Sequence, residues 1–129
     1  MPGDGRAGFT NALTGVVNAH LKNVPLVVLS GRHPLRDDLK GALQEMNQID
    51  MINPVTKWAA TCYETKRIPE YLSIAFMQAT SGRPGPVFLE LPPDILFSDE
   101  DEKACVRPSK RSHKISVQPD ASALKEAAA

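Results

Sequence analysis

A charge of one sign is what this 129-residue sequence most plainly lacks: fifteen Lys and Arg balance fifteen Asp and Glu. With a formal charge of zero, nothing global directs the chain to nucleic acid or to an anionic membrane surface. Aromatic residues are scarce, at 5%. The basic stretch Arg107 to Lys114 has none interleaved and follows an acidic run, so it reads as a linker and not as a stacking platform for nucleic acid. Cysteine is limited to Cys62 and Cys105, far apart in unlike surroundings. That suits reduced thiols in a cytosolic protein better than a disulfide framework. His20, His33 and His113 share no ligand spacing with each other or with the cysteines, and no metal site is expected. Long apolar runs are missing too. The longest, Val24 to Leu29, is too short to cross a bilayer, and the polar, Gly-rich start Met1 to Ala7 does not look like a secretory leader. A soluble, cytoplasmic chain with one ordinary domain is the expectation.

What is present is an alternation of periods. Phe9, Leu13, Val16, Val17 and Leu21 recur at helical spacing, predicting a helix over 9–22 that Thr10 or Asn11 could cap. Val24 to Leu29 is apolar at every position and predicts a strand buried on both faces. Gly31 to Asp38 reads as a loop, and Leu39 to Ile52 as a looser helical pattern broken into shorter pieces, ended by Pro54. Thr56 to Tyr63 is a weak strand candidate. Ile68, Leu72, Ala75, Phe76 and Ala79 form one stripe, so the spacing predicts a helix over 68–80, with Pro69 tolerated in its first turn. Gly82-Arg83-Pro84-Gly85-Pro86 is a stop and turn, and Val87 to Leu91 a strand. Helices alternating with strands imply an α/β fold, a partial parallel sheet of about three strands flanked by helices. Composition changes after Leu96: residues 97–118 read as an exposed linker, and 119–129 as the opening of a further helix and domain.

Several motifs then fall in order. Gly8-Phe9-Thr10-Asn11-Ala12-Leu13-Thr14-Gly15, Asn23-Val24-Pro25-Leu26-Val27-Val28-Leu29-Ser30-Gly31 and Ala42-Leu43-Gln44-Glu45 come first. Thr56-Lys57-Trp58 and the run Ser81 to Pro92 follow. This ordered set resembles the pyrimidine-binding (Pyr) domain of thiamine-diphosphate enzymes of the acetolactate synthase type, over Gly8 to Leu96. The physics of the first block is compatible, since a small-residue turn feeding a helix lets backbone N–H groups approach a polar ligand. The family's usual Gly-Pro-Gly turn is here Arg6-Ala7-Gly8. Arg83 does not make the later turn a phosphate cradle, because its two prolines remove donors. Gly3-Asp4-Gly5 lacks the paired asparagines that accompany a Mg²⁺–diphosphate motif.

The resemblance implies that Gly8, Phe9, Thr10 and Asn11 flank the cofactor's aminopyrimidine, and that Gln44 lies near substrate. It implies thiamine diphosphate as cofactor, with Mg²⁺ held by another domain of the parent enzyme, and a small 2-oxo acid or related substrate. The partner would be the diphosphate-binding (PP) domain of a homologous subunit in a homo-oligomer. The family's catalytic glutamate belongs on a strand before the glycine turn; none of Glu45, Glu64, Glu70 or Glu90 matches it, and no catalytic residue is assigned. The chain thus reads as a fragment of a carboligase or decarboxylase, marginally stable and inactive alone, with affinity for thiamine diphosphate no tighter than about millimolar. A non-catalytic remnant that docks on a full-length homologue is the alternative. A generic dinucleotide-binding domain is disfavoured, since no Gly-x-Gly-x-x-Gly turn follows a strand.

Overall fold

The computed structural model describes residues 5–43, 45–105, 120 and 125–128. The elements are α1 (Gly5–Leu21), β1 (Leu26–Gly31), α2 (Gln48–Ile52), β2 (Ala59–Thr61), α3 (Ile68–Thr80), β3 (Pro86–Leu91) and the single-turn α4 (Pro93–Leu96), joined by short 3₁₀ turns. The strands form one sheet in the order β1-β3-β2, and both pairings are parallel. Parallel neighbours cannot be joined by hairpins, so each connection carries helix across a face. This is the α/β architecture the alternation of periods implies.

Side chains alternate across the sheet, and the two faces have different helical covers. On one, Phe88 packs with Phe9, Val16 and Ile52 from α1 and α2, against Leu13, Val28 and Ala59. The Phe9 and Phe88 rings meet edge to face, centroids 5.6 Å apart, the arrangement the ring quadrupole favours. On the other face Val87, Leu89 and Leu91 meet Ala75, Ala79, Leu72 and Ile68 of α3, with Cys62, Trp58 and Tyr71 filling in. Small Ala75 and Ala79 let α3 approach the sheet closely.

Two features differ from the sequence expectation. The strand near Val24 to Leu29 is not the one buried on both faces. Among the described residues β1 pairs on one side only, and Leu29 is 53% exposed. The strand between the others, β3, is buried at every position. An apolar run reports affinity for a sheet, not position within it. Helix α1 also begins at Gly5, so the turn expected just before the helix is its opening. Arg6 and Ala7 are good helix formers, and the proline that would stop such a helix is missing from this position.

The remaining boundaries follow local chemistry. Asn47 caps α2 by accepting from the Asp50 amide at 3.1 Å. Gly82, at φ +56°, turns the chain after α3, a conformation only glycine adopts without strain. Lys57 serves both sheet and helix. Its amide donates to the Pro86 carbonyl at 2.8 Å, and its Nζ donates to the carbonyls of Gln78 and Ser81 at the end of α3. Of the expected linker, Phe97 to Cys105 is described, mostly exposed with one 3₁₀ turn at Glu102–Ala104; the rest lies outside the described residues. In the expected further helix, residues 125–127 are helical.

Candidate functional site

Ligands of open parallel sheets bind beyond the carboxyl ends of the strands, and here those ends carry an unusual row. Ser30, Glu90 and Thr61 are register partners across β1, β3 and β2, one step beyond the apolar row Val28, Phe88 and Ala59 on the same face. Glu90 is only 1% exposed. The Thr61 hydroxyl donates to its Oε2 at 2.7 Å, and Arg32 Nη1 approaches the same oxygen at 3.4 Å. Arg32 Nη2 also pairs with Asp38, whose Oδ1 meets His33 Nε2. Ser30 donates to Gln48 Oε1 at 2.8 Å, and Gln48 Nε2 donates to the Gly31 carbonyl at 3.0 Å.

Above this row opens a cleft of about 440 Å³, lined by Arg32, Glu90, Thr61 and Tyr63 on the sheet side and by Asp38, Leu39, Glu45, Met46 and Asn47 of the loop between β1 and α2. The loop is stitched by carboxylates. Glu45 accepts from the amides of Ala42 at 2.9 Å and Leu39 at 2.6 Å, and these bonds hold its carboxyl below the ordinary range. Asp94, from α4, accepts from the Leu35 amide at 2.9 Å.

A second, smaller cleft of about 90 Å³ lies between α1 and β1, lined by Gly8, Phe9, Ala12, Val16, Val28, Leu29, Ser30 and Ile52. Gly8 and Ala12 are one helical turn apart, and nothing lies within 4 Å of where a Cβ on Gly8 would stand. The structure therefore brings Gly8 and Phe9 to the carboxyl end of β1. Phe9 is mostly buried and belongs to the core; its ring forms the floor of this cleft. Thr10 and Asn11 are exposed on the helix surface. With α1 beginning at Gly5, the amides of Gly8, Phe9, Thr10 and Asn11 all lie past the orphan donors at the helix start and are committed within the helix. Gln44 lies outside the described residues; its neighbour Glu45 lines the larger cleft.

Arg32, His33 and Glu90 were not singled out by the sequence reading as site residues. One signal could have found them: Glu90 is the single charge inside Val87-Phe88-Leu89-Glu90-Leu91, and a charge in a buried strand requires a partner. Among the described residues no three His, Cys, Asp or Glu side chains gather as metal ligands would. No helix there is long and apolar enough to cross a membrane.

Comparison with known proteins finds relatives over most of the described α/β unit. Residues 4–51 match the family described as thiamine pyrophosphate enzyme, N-terminal TPP binding domain. The acetolactate synthase isozyme 3 large subunit of Escherichia coli K12 is 45% identical over 91 residues, 69% of this chain and 16% of that protein. The acetolactate synthase large subunit of Lactococcus lactis is 40% identical over 88 residues, 68% of this chain and 15% of that one. Bovine 2-hydroxyacyl-CoA lyase 2 is 39% identical over 90 residues, 70% of this chain and 14% of the lyase. The shared stretch is thus roughly a sixth of each relative's length. Over residues 4–51 the chain is thus similar to the N-terminal domain of thiamine pyrophosphate enzymes, and over about 90 residues to acetolactate synthase large subunits.

Proposed function

We propose that this chain contributes the aminopyrimidine side of a thiamine diphosphate site in a carboligase or decarboxylase of the acetolactate synthase type. The observation that carries the reading is the open, small-residue groove at Gly8 and Ala12 beside Ser30 at the end of β1. A flat heteroaromatic ring fits such a groove. The missing side chain of Gly8 gives access to the helix backbone, while Phe9, Val28 and Ile52 offer an apolar floor. Ser30, which lines the groove, supplies a hydroxyl to orient the ring's edge, whereas Thr10 and Asn11 are exposed and do not line it. When bound, thiamine diphosphate supplies the carbanion chemistry, and the protein's share is orientation and exclusion of water. In this reading Mg²⁺ and the diphosphate are held by a partner PP domain, and a small 2-oxo acid is the substrate class. Names of relatives support the cofactor more strongly than the substrate, since a lyase of 2-hydroxyacyl-CoA stands among them.

The test is a titration of the ¹⁵N-labelled chain with thiamine diphosphate, and separately with thiamine, followed by amide NMR. The expected result is saturation at about millimolar ligand by both compounds alike, with shifts concentrated at Gly8, Phe9, Thr10, Asn11 and Ser30. Shifts scattered over the surface, or absent from α1, would refute the assignment.

A further inference from the structure

The loop from Arg32 to Asn47 makes one wall of the larger cleft, yet little apolar burial holds it down. Leu39 is 96% exposed and Leu43 82%. Leu39 also adopts a positive φ of 62°, which a leucine keeps only when its surroundings enforce it. Polar bonds must therefore do the holding, and they converge on the row at the strand ends. Arg32, at the start of the loop, reaches Glu90. Gln48, just past its end, takes the Ser30 hydroxyl and the Gly31 carbonyl.

We propose that Arg32 and Glu90 are positioning residues, and that their ion pair, extended outward through Asp38 to His33, pins this loop against the carboxyl edge of the sheet and so sets the shape of the cleft. Three facts converge. Glu90 is nearly fully buried, and Arg32 is the one cation paired with it among the described residues. Arg32 is itself 14% exposed and links that buried carboxylate to Asp38, which rides on the loop. Asp38 in turn meets His33, 2% exposed at the side chain, so the loop is fastened at two successive residues of its stem. Each guanidinium edge is used by a different carboxylate, a geometry that the planar fork of arginine permits and a lysine ammonium does not reproduce. This inference is independent of what occupies the groove at Gly8.

Amide hydrogen exchange on the unliganded chain tests it. Arg32→Met alone leaves a buried charge uncompensated and should weaken the whole sheet. The informative variant is Arg32→Met combined with Glu90→Gln, which removes both charges while Thr61 can still bond the amide. Expected for the double variant is exchange within about twofold of the parent at Phe88 and Cys62, the core of the sheet. At Asp37 and Asp38, whose amides close the loop's 3₁₀ turn on the Pro34 and Leu35 carbonyls, exchange should be at least about tenfold faster. Glu90→Gln alone should show the same split. Loop amides that stay unchanged, or loop and sheet amides that loosen together in both variants, would overturn the proposal.

Discussion

At the scale of single residues, burial decides how the two thiols behave. Cys62 is fully buried behind α3, and its Sγ donates to the Glu64 carbonyl at 3.3 Å. Burial pushes its pKa up, which lowers the fraction of reactive thiolate. Cys105 is partly exposed. Native-state labelling with a maleimide should modify Cys105 at least about tenfold faster than Cys62, and the difference should vanish in denaturant; equal native rates would contradict the packing. Glu45 makes a second prediction. Its folded pKa lies below the ordinary value because the Ala42 and Leu39 amides favour the ionised form. What it contributes to loop order is therefore fully present above the unfolded carboxylate pKa, and is lost as pH falls through the lower, folded value. The Leu39 amide proton, followed by NMR, should titrate with a midpoint below the usual carboxylate range, and Glu45→Gln should abolish that titration. Both behaviours needed coordinates: nothing in Ala42-Leu43-Gln44-Glu45 reveals that the carboxylate bends back onto the loop.

Secondary elements were legible where one strong periodicity ran unopposed. The stripe Ile68, Leu72, Ala75, Phe76 and Ala79 predicted α3 to the residue. The proline-bounded Val87 to Leu91 came within one residue of β3. The stretch 39–52 was less readable. Its hydrophobic spacing suits a helix, but Gly41 has a positive φ, and Leu39 and Leu43 face solvent. Only Gln48–Ile52 is α-helical, because carboxylate-to-amide bonds won over helical ones. The motif singled out Gly8, but the backbone there was not foreseen, since a missing proline lets α1 run on toward the N-terminus. At this scale the end of α3 is the sensitive point. Replacing Gly82, at φ +56°, by alanine should cost about 1 kcal/mol. Lys57→Met removes two charge-assisted bonds from an exposed site and should cost less, about 0.5 kcal/mol. Urea denaturation followed by circular dichroism would measure both.

For the molecule as a whole, one strand carries most of the cohesion. β3 lies between its partners and joins two apolar layers, with Phe88 on one side and Val87 and Leu89 on the other. Phe88→Ala should cost about 3–5 kcal/mol, a large fraction of the stability of any small domain. Loss of cooperative unfolding in the far ultraviolet is the expected outcome; a variant that melts like the parent would show that the two layers are held by other means. β1 contrasts with this, its outer edge unpaired among the described residues and Leu26 and Leu29 partly bare. Sequence reasoning expected the greasiest run, Val24 to Leu29, to be buried on both faces, and the partly bare β1 departs from that for a physical reason. Hydrophobicity reports affinity for a sheet, whereas which strand lies between neighbours is set by the order of crossovers.

Gly85 shows how distant positions become bound to one another in this arrangement. A methyl group there would stand 3.0 Å from Cδ of Lys57 and 3.2 Å from its Cγ, and that same chain reaches onward to the carbonyls of residues 78 and 81. Enlarging residue 85 would thus act as a wedge. It would lever the lysine stem aside and unfasten the tail of a helix that the new atom never touches.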